Sequence, residues 1–461
     1  MIETPNLSVW RNLKIALFHL GSGMADVITT GIWNRIMISD LGFSATPIGF
    51  LVALRYFLAP IGVWAGRMSD RRAIGGYRRL FWIWLGRGMM AFSIFSLGWV
   101  TASLARGDAS DAFHWLVIIV SLLLFSLGSA LSGSTFLALI YDRSSEDQRG
   151  RAVGIVWTFL LLGFTIGGVL FGVLLPSRGA DAEGTLPFTP ETLETLFIVA
   201  ALVLSGLWVI SLIGEERRSS GSVTAAAGSE HAASLRSDLR LAWENRTTRW
   251  FFWFLALSML FAFSQDLILE PFAGEVFGME PRVTTRFAAY WGSMSILATV
   301  VFLFLGRRYK RLNNTIMSNI GVAVLVVTFA LFAVSAFAGI RGLVTPGLIL
   351  LGIGLGIWNV GTLGLMMEMS PFGRAGTFLG FWTLVVTLAR GVGVSGGGVA
   401  LDLARGLLGS PAAAYGLVFT IGGVGLAVSL YALRRVNVGS FKQQYETAEA
   451  QPSQVLAAAM D

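Results

Sequence analysis

Asp266 and Glu270 stand four residues apart in an apolar run that begins at Trp250 and breaks at Pro271. On a helix that spacing puts both carboxylates on one face. A carboxylate at membrane depth must turn inward, toward a partner or a task. The chemistry open to such a pair is charge pairing, proton exchange or oxygen ligation of a hard cation. Gln265 adds an amide beside them. Pro271 donates no backbone hydrogen bond, so it frees a carbonyl one turn back for a ligand, a water or Asn34. In the first apolar run Arg35 reaches a similar depth, which predicts an ion pair with Glu270, Asp266 or both. Arg55, Arg87 and Arg390 interrupt other apolar runs, and Asp26 is the remaining buried acid. An arginine at the bilayer centre costs about 2.5 to 3.5 kcal/mol, so each should face protein, water or an anionic group.

Other chemistry is excluded more readily. The chain has no cysteine, hence no disulfide, thiolate metal site or thiol nucleophile. His19, His114 and His231 lie far apart, with no metal-ligand spacing, so no metal site is expected. No nucleophile–base pair or phosphate loop appears, which argues against an enzyme. Gly391, Gly393 and Gly396 spell GxGxxG, but inside an apolar run with no preceding strand, so close helix packing explains them better than a dinucleotide. Gly163, Gly167, Gly168 and Gly172 read the same way, the alternative being a flat groove for a planar ligand.

These residues need a membrane to position them. Of 461 residues 54% are hydrophobic and 13% charged, and mean hydropathy is +0.69, far too apolar for soluble domains. Windows long enough to span a bilayer fall at 13–38, 46–66, 80–104, 113–140, 152–175, 193–213, 250–272, 285–305, 315–338, 345–367, 376–400 and 414–433. The fold class is therefore an all-α membrane protein of twelve transmembrane helices. Its organisation reads as a six-helix half over 1–213, a linker over 214–249, a second six-helix half over 250–434 and a tail over 435–461. Leu235, Leu239 and Trp243 recur at helical spacing and predict a surface helix at the end of the linker. The start of the chain reads as an uncleaved first span.

Basic residues set orientation. Most of the 34 fall on the side of the two termini, while Arg106, Arg178, Arg282, Arg286, Arg341 and Arg405 hold the other, so both termini are expected in the cytoplasm. The net charge of +7 reports this topology rather than a nucleic-acid partner. The halves also repeat: a shift of 236 residues sets Phe18 on Phe254, Ser22 on Ser258, Asn34 on Glu270 and Gly42 on Gly278. Repeated six-helix halves are how major facilitator transporters are built.

GRMSDRRAIGGYRR, residues 66–79, resembles the facilitator-superfamily signature after the second helix, with Gly66, Asp70, Arg71, Arg78 and Arg79 matching. Such a turn lets helix ends approach at the glycine while the carboxylate and arginines form a cytoplasmic gate latch. Its counterpart GRRYKR, residues 306–311, lacks the aspartate. YDRSSEDQRGRAVG, residues 141–154, is similar to the superfamily's acidic and Arg-Gly loop. More narrowly, TTGIWNRIMISDLG (29–42) and QDLILEPFAGEVFGM (265–279) resemble the signatures of the PucC and LhaA group, the bacteriochlorophyll delivery family of phototrophic bacteria. The likeness runs from about Trp10 to Arg435, with Trp33 in place of a smaller aliphatic residue and Asp40 in place of glutamate.

The resemblance implies a non-enzymatic protein of the bacterial inner, photosynthetic membrane. It would bind bacteriochlorophyll or chlorophyll, a magnesium tetrapyrrole, and deliver it to light-harvesting antenna apoproteins and the reaction-centre complex. Chlorophyll synthase and membrane lipid are further expected partners. It also implies that Arg55 and Arg390 meet across the interface of the halves, giving one intramembrane network of Arg35, Arg55, Asp266, Glu270 and Arg390. Pigment or cavity contacts are expected from His19, Asp26, Asn34, Arg35, Gln265, Asp266 and Glu270. His19 suits an axial magnesium position, although oxygen donors suit the ion at least as well. Two other readings stay open: a proton-coupled transporter of a small solute, with Asp26, Asp266 or Glu270 carrying the proton, and a permanent structural subunit of a photosynthetic complex.

Overall fold

A computed structural model describes residues 7–107, 112–175, 186–216, 243, 245–309, 311–370 and 375–441, without the side chains of residues 146, 147 and 375–377. It contains twelve helices long and apolar enough to span a bilayer: α1 (Val9–Asp40), α2 (Ala45–Arg71), α3 (Leu80–Ala105), α4 (Ala112–Arg143), α5 (Gln148–Leu174), α6 (Pro190–Leu212), α7 (Arg246–Asp266), α8 (Pro281–Arg308), α9 (Asn314–Ala338), α10 (Arg341–Glu368), α11 (Phe378–Leu408) and α12 (Pro411–Arg434). Each predicted window overlaps one of these helices, the seventh being interrupted before its predicted end. Leu235, Leu239, His231 and residues 442–461 lie outside the described residues, so the surface helix and the tail beyond Phe441 are not placed.

Packing follows the sequence repeat. In the first half α1 packs on α5 and α6, α3 on α4 and α6, and α2 on α4; in the second, α7 packs on α11 and α12, α9 on α10 and α12, and α8 on α10. Adding six to each helix number converts one set into the other. The two main contacts between halves, α2 with α11 and α5 with α8, exchange under the same operation. At the aligned glycines the backbone itself repeats, Gly42 having φ of 72° and Gly278 of 61°. Both close a first-helix segment in the left-handed region that only glycine enters without strain.

Two features depart from a plain helix bundle. The predicted window 250–272 is not one helix: regular turns run Arg246–Ala262, a tight turn covers Ser264–Asp266, and a separate short helix occupies Leu269–Phe277. In the first half the corresponding stretch is continuous but widened into π-type turns over Val27–Trp33 and Ile36–Asp40. Such irregular backbone at membrane depth is tolerated where protein or a cavity surrounds it. Here the two stretches face each other.

The glycine runs are packing surfaces. A methyl group on Gly23 would meet the Leu160 carbonyl oxygen at 2.2 Å, and one on Gly163 the Leu20 carbonyl oxygen at 2.3 Å, so α1 and α5 touch backbone to backbone. Gly167 lies against Met24, Gly168 against Thr285 and Ala289, Gly391 against Tyr56 and Phe57, and Gly393 against the Leu260 carbonyl. Gly396 alone among these faces open space.

At the face carrying the chain ends, Arg79 pairs with Asp70 at 2.5 Å and with Asp142 at 3.0 Å, and Arg78 approaches Asp70 at 3.8 Å. Burial opposes the charge on Arg79, but Asp142 and Asp70 outweigh it and hold its pKa above the ordinary value. Arg71 is exposed and makes no ion pair among the described residues, so it stands outside the latch. Close helix approach occurs one turn before the expected place: a methyl on Gly62 would meet the Ala130 carbonyl oxygen at 2.8 Å, whereas one on Gly66 would meet only Ser134 Oγ at 3.9 Å. Two carboxylates from the start of the linker complete this face. Glu216 accepts from the amides of Arg78, Arg79 and Leu80 at 2.7, 3.0 and 2.8 Å, capping α3. Glu215 pairs with Arg11 and Lys14 at 2.8 and 3.1 Å.

Candidate functional site

The irregular stretches of α1 and α7 meet α2 and α11 around a chamber of about 40 Å³, with Asp26, Arg55, Gln265, Asp266, Glu270 and Arg390 in its lining. Two ion pairs cross it. Asp26 binds Arg55, joining α1 to α2, and Arg390 Nη2 donates to Asp266 at 2.8 Å, joining α11 to α7. Gln265 Nε2 donates to the other oxygen of Asp266 at 2.7 Å. Tyr56 lies beside both arginines and accepts from Arg55 at 2.7 Å. Glu270 is 7% exposed and has no cation within ion-pair distance among the described residues. Its carboxylate lies within electrostatic reach of Arg35 and Asp266. Phe164, Phe263 and Trp291 give the chamber an aromatic side.

The expected pairing of Arg35 with the helix 7 acids is overturned. Arg35, 3% exposed, donates to Asp40 at 2.6 Å and to the Met279 carbonyl at 2.6 Å. The widened turn over Ile36–Asp40 is the reason: it brings residue i+5 over residue i, so the carboxylate that would lie off to one side of a regular helix reaches the guanidinium. A methyl on Gly274 would come within 2.7 Å of Arg35 Nη2, so the short helix presses on the guanidinium as well. Arg35 thus ties the end of α1 to the segment after α7, on the side away from the chain ends.

Asn34 sits one layer below. Its Nδ2 donates to the Leu267 carbonyl at 2.9 Å, the acceptor that Pro271 leaves without a helical donor. Replacing Asn34 with leucine should therefore cost about 1 to 3 kcal/mol, the usual penalty for an unmet buried carbonyl. In a Pro271→Ala background the cost should shrink, because the restored amide reaches the same carbonyl. Thermal unfolding of the two single variants and the double variant in detergent measures the coupling, and additive effects would contradict the shared acceptor.

His19 lies elsewhere. Its ring packs against Phe18, Phe136 and Trp157 at centroid distances of 5.5, 5.1 and 5.8 Å, inside the first half and away from the chamber lining. Arg87 is close by, stacked over Phe18 at 3.8 Å and Trp208 at 4.7 Å, with no carboxylate in ion-pair distance among the described residues. His114 is bonded to Ser103 at 2.9 Å. Of the residues expected to share a site, the structure gathers Asp26, Gln265, Asp266 and Glu270 with Arg55 and Arg390. It places Asn34 and Arg35 in the seal beside them and His19 apart.

Sequence reasoning passed over Tyr56 and the far-side seal. There Asp402 of α11 accepts from the amides of Ala45 and Thr46 at 3.0 and 2.7 Å, capping α2 from the other half, and Arg405 reaches Glu275, Asp402 and Tyr415. The available signal was weak: Asp402 and Arg405 sit three apart at the end of an apolar run, with nothing to name their partners. Arg390 is 30% exposed, whereas Asn34 and Arg35 of the seal are buried.

Comparison with known proteins agrees with this architecture. The model of the family described as PUCC protein matches residues 32–441. A protein of Rhodobacter capsulatus named "Bacteriochlorophyll synthase 44.5 kDa chain" is 31% identical over 416 residues, covering 88% of this chain and 90% of its own. "Protein PucC" of Rhodovulum sulfidophilum is 28% identical, covering 87% of each chain. Among solved structures, a bacterial homologue of the human lysosomal transporter Spinster superposes with a TM-score of 0.66 at 14% identity, over 93% of this chain and 97% of that one. A bacterial homologue of the iron transporter ferroportin gives 0.66 at 16% identity, over 93% and 99%. These last two show the transporter fold alone.

Proposed function

The chain belongs to the PUCC protein family, and from that premise we propose that it is a non-enzymatic carrier that binds a magnesium tetrapyrrole, bacteriochlorophyll or chlorophyll, and hands it to light-harvesting or reaction-centre apoproteins. The observation that carries this reading is the composition of the chamber: aromatic rings from both halves stand beside paired charges at the seam of a facilitator fold. Such a site suits an amphipathic planar ligand. A chamber of about 40 Å³ is far below the roughly 300 Å³ of a small ligand pocket, so a macrocycle lies at its mouth or waits for the halves to part. Antenna and reaction-centre polypeptides, chlorophyll synthase and lipid are the partners of this reading. The excess of arginine and lysine beside the chain ends supports a cytoplasmic position for both termini, in the inner membrane of a phototrophic bacterium. Purification in mild detergent from a pigment-making host should yield coloured protein with a tetrapyrrole absorption spectrum. Colourless protein from that host would count decisively against it.

One observation favours a second reading. Glu270 is a buried carboxylate on the chamber wall with no ion-pair cation among the described residues, the arrangement of a proton carrier in secondary transporters. Uptake of a small solute into vesicles would then follow an imposed pH gradient and disappear in Glu270→Gln; indifference of uptake to the gradient removes this reading.

A further inference from the structure

The chamber wall carries one negative charge in excess: Asp26, Asp266 and Glu270 stand there against Arg55 and Arg390. Two of the three carboxylates are taken, Asp26 by Arg55 and Asp266 by Arg390. Glu270 is the odd one, 7% exposed and without a cation in ion-pair distance among the described residues. Arg35, the nearest further cation within its electrostatic reach, is held by Asp40 and the Met279 carbonyl. A buried charge without compensation is costly, so the chamber calls for a positive partner. Its surroundings say which kind. Gln265, 4% exposed, spends its amide nitrogen on Asp266 and keeps its carbonyl oxygen as an acceptor. Thr30 donates its hydroxyl hydrogen to the Asp26 carbonyl at 2.6 Å, which leaves its oxygen lone pairs to accept. Helix α7 loses its regular turns after Ala262, and Phe263, Gln265 and Asp266 just beyond line the chamber, so the negative end of the helix dipole lies beside it. Interrupted helices of this kind supply oxygen ligands to sodium in transporters. The chamber of about 40 Å³ holds a few waters, enough for an ion that keeps part of its hydration shell.

We propose that the chamber binds one alkali cation of sodium size, with Glu270 as its charged ligand, Gln265 and Thr30 as neutral oxygen donors, and water completing the shell. A proton on Glu270 would also cancel the surplus charge, but it would use neither the void nor the neutral oxygens around it. A divalent ion would leave the chamber with a net positive charge, and magnesium in particular demands near-ideal octahedral geometry. A monovalent ion matches the surplus of one. Both guanidinium groups keep their own carboxylates, so the ion displaces neither. Thr30 lies on the π-type turns of α1, and Gln265 and Glu270 lie at the break after α7, so the ion ties the two irregular stretches, and with them the two halves, together. The site goes beyond the pigment reading, because none of its ligands depends on a tetrapyrrole, and it differs from the proton-carrier reading in the ion that Glu270 holds.

The test uses the full-length protein in detergent and compares sodium chloride with choline chloride at equal ionic strength, choline being too large for the chamber. Radioactive sodium should bind saturably, and sodium should raise the thermal midpoint with its occupancy where choline does not. Glu270→Gln keeps the shape of the side chain and removes its charge, so it should abolish both effects. Thr30→Val loses the hydroxyl alone and should weaken sodium binding by about tenfold. Sodium binding to the unmodified protein and to Thr30→Val carries the test if Glu270→Gln is not recovered. The charged groups facing Glu270 are Asp26, Asp266, Arg35, Arg55 and Arg390, with Tyr56 beside the last two, so several groups answer to pH and sodium is the discriminating variable. A midpoint that follows pH but not sodium assigns the surplus to a proton; it overturns the cation site and leaves the pigment and proton readings standing. Absence of saturable sodium binding overturns it as well. A folded Glu270→Gln variant that keeps the full sodium response overturns the site as described.

Discussion

Gly23→Ala should prevent recovery of folded protein, or lower its thermal midpoint sharply. The added carbon would sit 2.2 Å from the Leu160 carbonyl oxygen and 3.0 Å from Gly163 Cα. Carbon contacts become favourable only near 3.5 to 4.0 Å, so the clash cannot be left in place. Nor can it be relieved by a rotamer change, since both opposing atoms are backbone. Relief requires α1 and α5 to separate, which also withdraws Gly167 from Met24 and loosens the α1 stretch that carries Asp26. Overpacking usually costs about 1 to 3 kcal/mol, and a backbone collision between two spans belongs at or above the top of that range. Gly88→Ala is the control, because nothing lies within 4 Å of a methyl there, and exchanging glycine for alanine in a helix favours stability by about 0.5 to 1 kcal/mol. Intrinsic tryptophan fluorescence during heating in detergent reads both. If the two variants unfold together, α1 and α5 are not in the contact described.

The fold was legible because span length and repeat are written in composition. Apolar runs of twenty or more residues can do little else, and Gly42 and Gly278 share their left-handed backbone as their alignment implies. The resemblance in 29–42 and 265–279 pointed to the family and to the two segments that shape the chamber. Partner choice within the chamber was not legible. Depth along an ideal helix placed Arg35 beside the α7 acids, but π-type turns change the register by a residue per turn, and Arg35 found Asp40 instead. The same counting treated α7 as unbroken through Pro271, whereas the chain bends at Phe263 and restarts at Leu269. Asn34 was foreseen as one user of the carbonyl freed by proline, since that argument needs only the missing amide. The role of Asp402 was invisible because capping a helix in the other half leaves no trace in local spacing.

Arg390→Ala should destabilise the protein strongly, and Asp266→Asn should restore most of what is lost. Arg390 is the cation paired with Asp266, and its removal leaves a carboxylate 16% exposed with only the Gln265 amide as a close donor. Breaking one side of a buried pair typically costs about 3 to 5 kcal/mol, because the survivor keeps its desolvation penalty and loses its compensation. Neutralising the survivor removes that penalty, so the double variant should unfold within about 1 kcal/mol of the unmodified protein. Arg55 reinforces the asymmetry. Its own partner is Asp26, and it lies near the same Tyr56 ring as Arg390, so losing Arg390 also relieves a repulsion. The double variant can therefore match or exceed the parent. A chain of charges held only for stability would show this pattern and nothing more, whereas a binding site would show restored stability without restored ligand affinity. Measuring unfolding and porphyrin titration on the same four proteins separates the two, and additive unfolding costs for Arg390→Ala and Asp266→Asn would show that the pair is not coupled as the geometry requires.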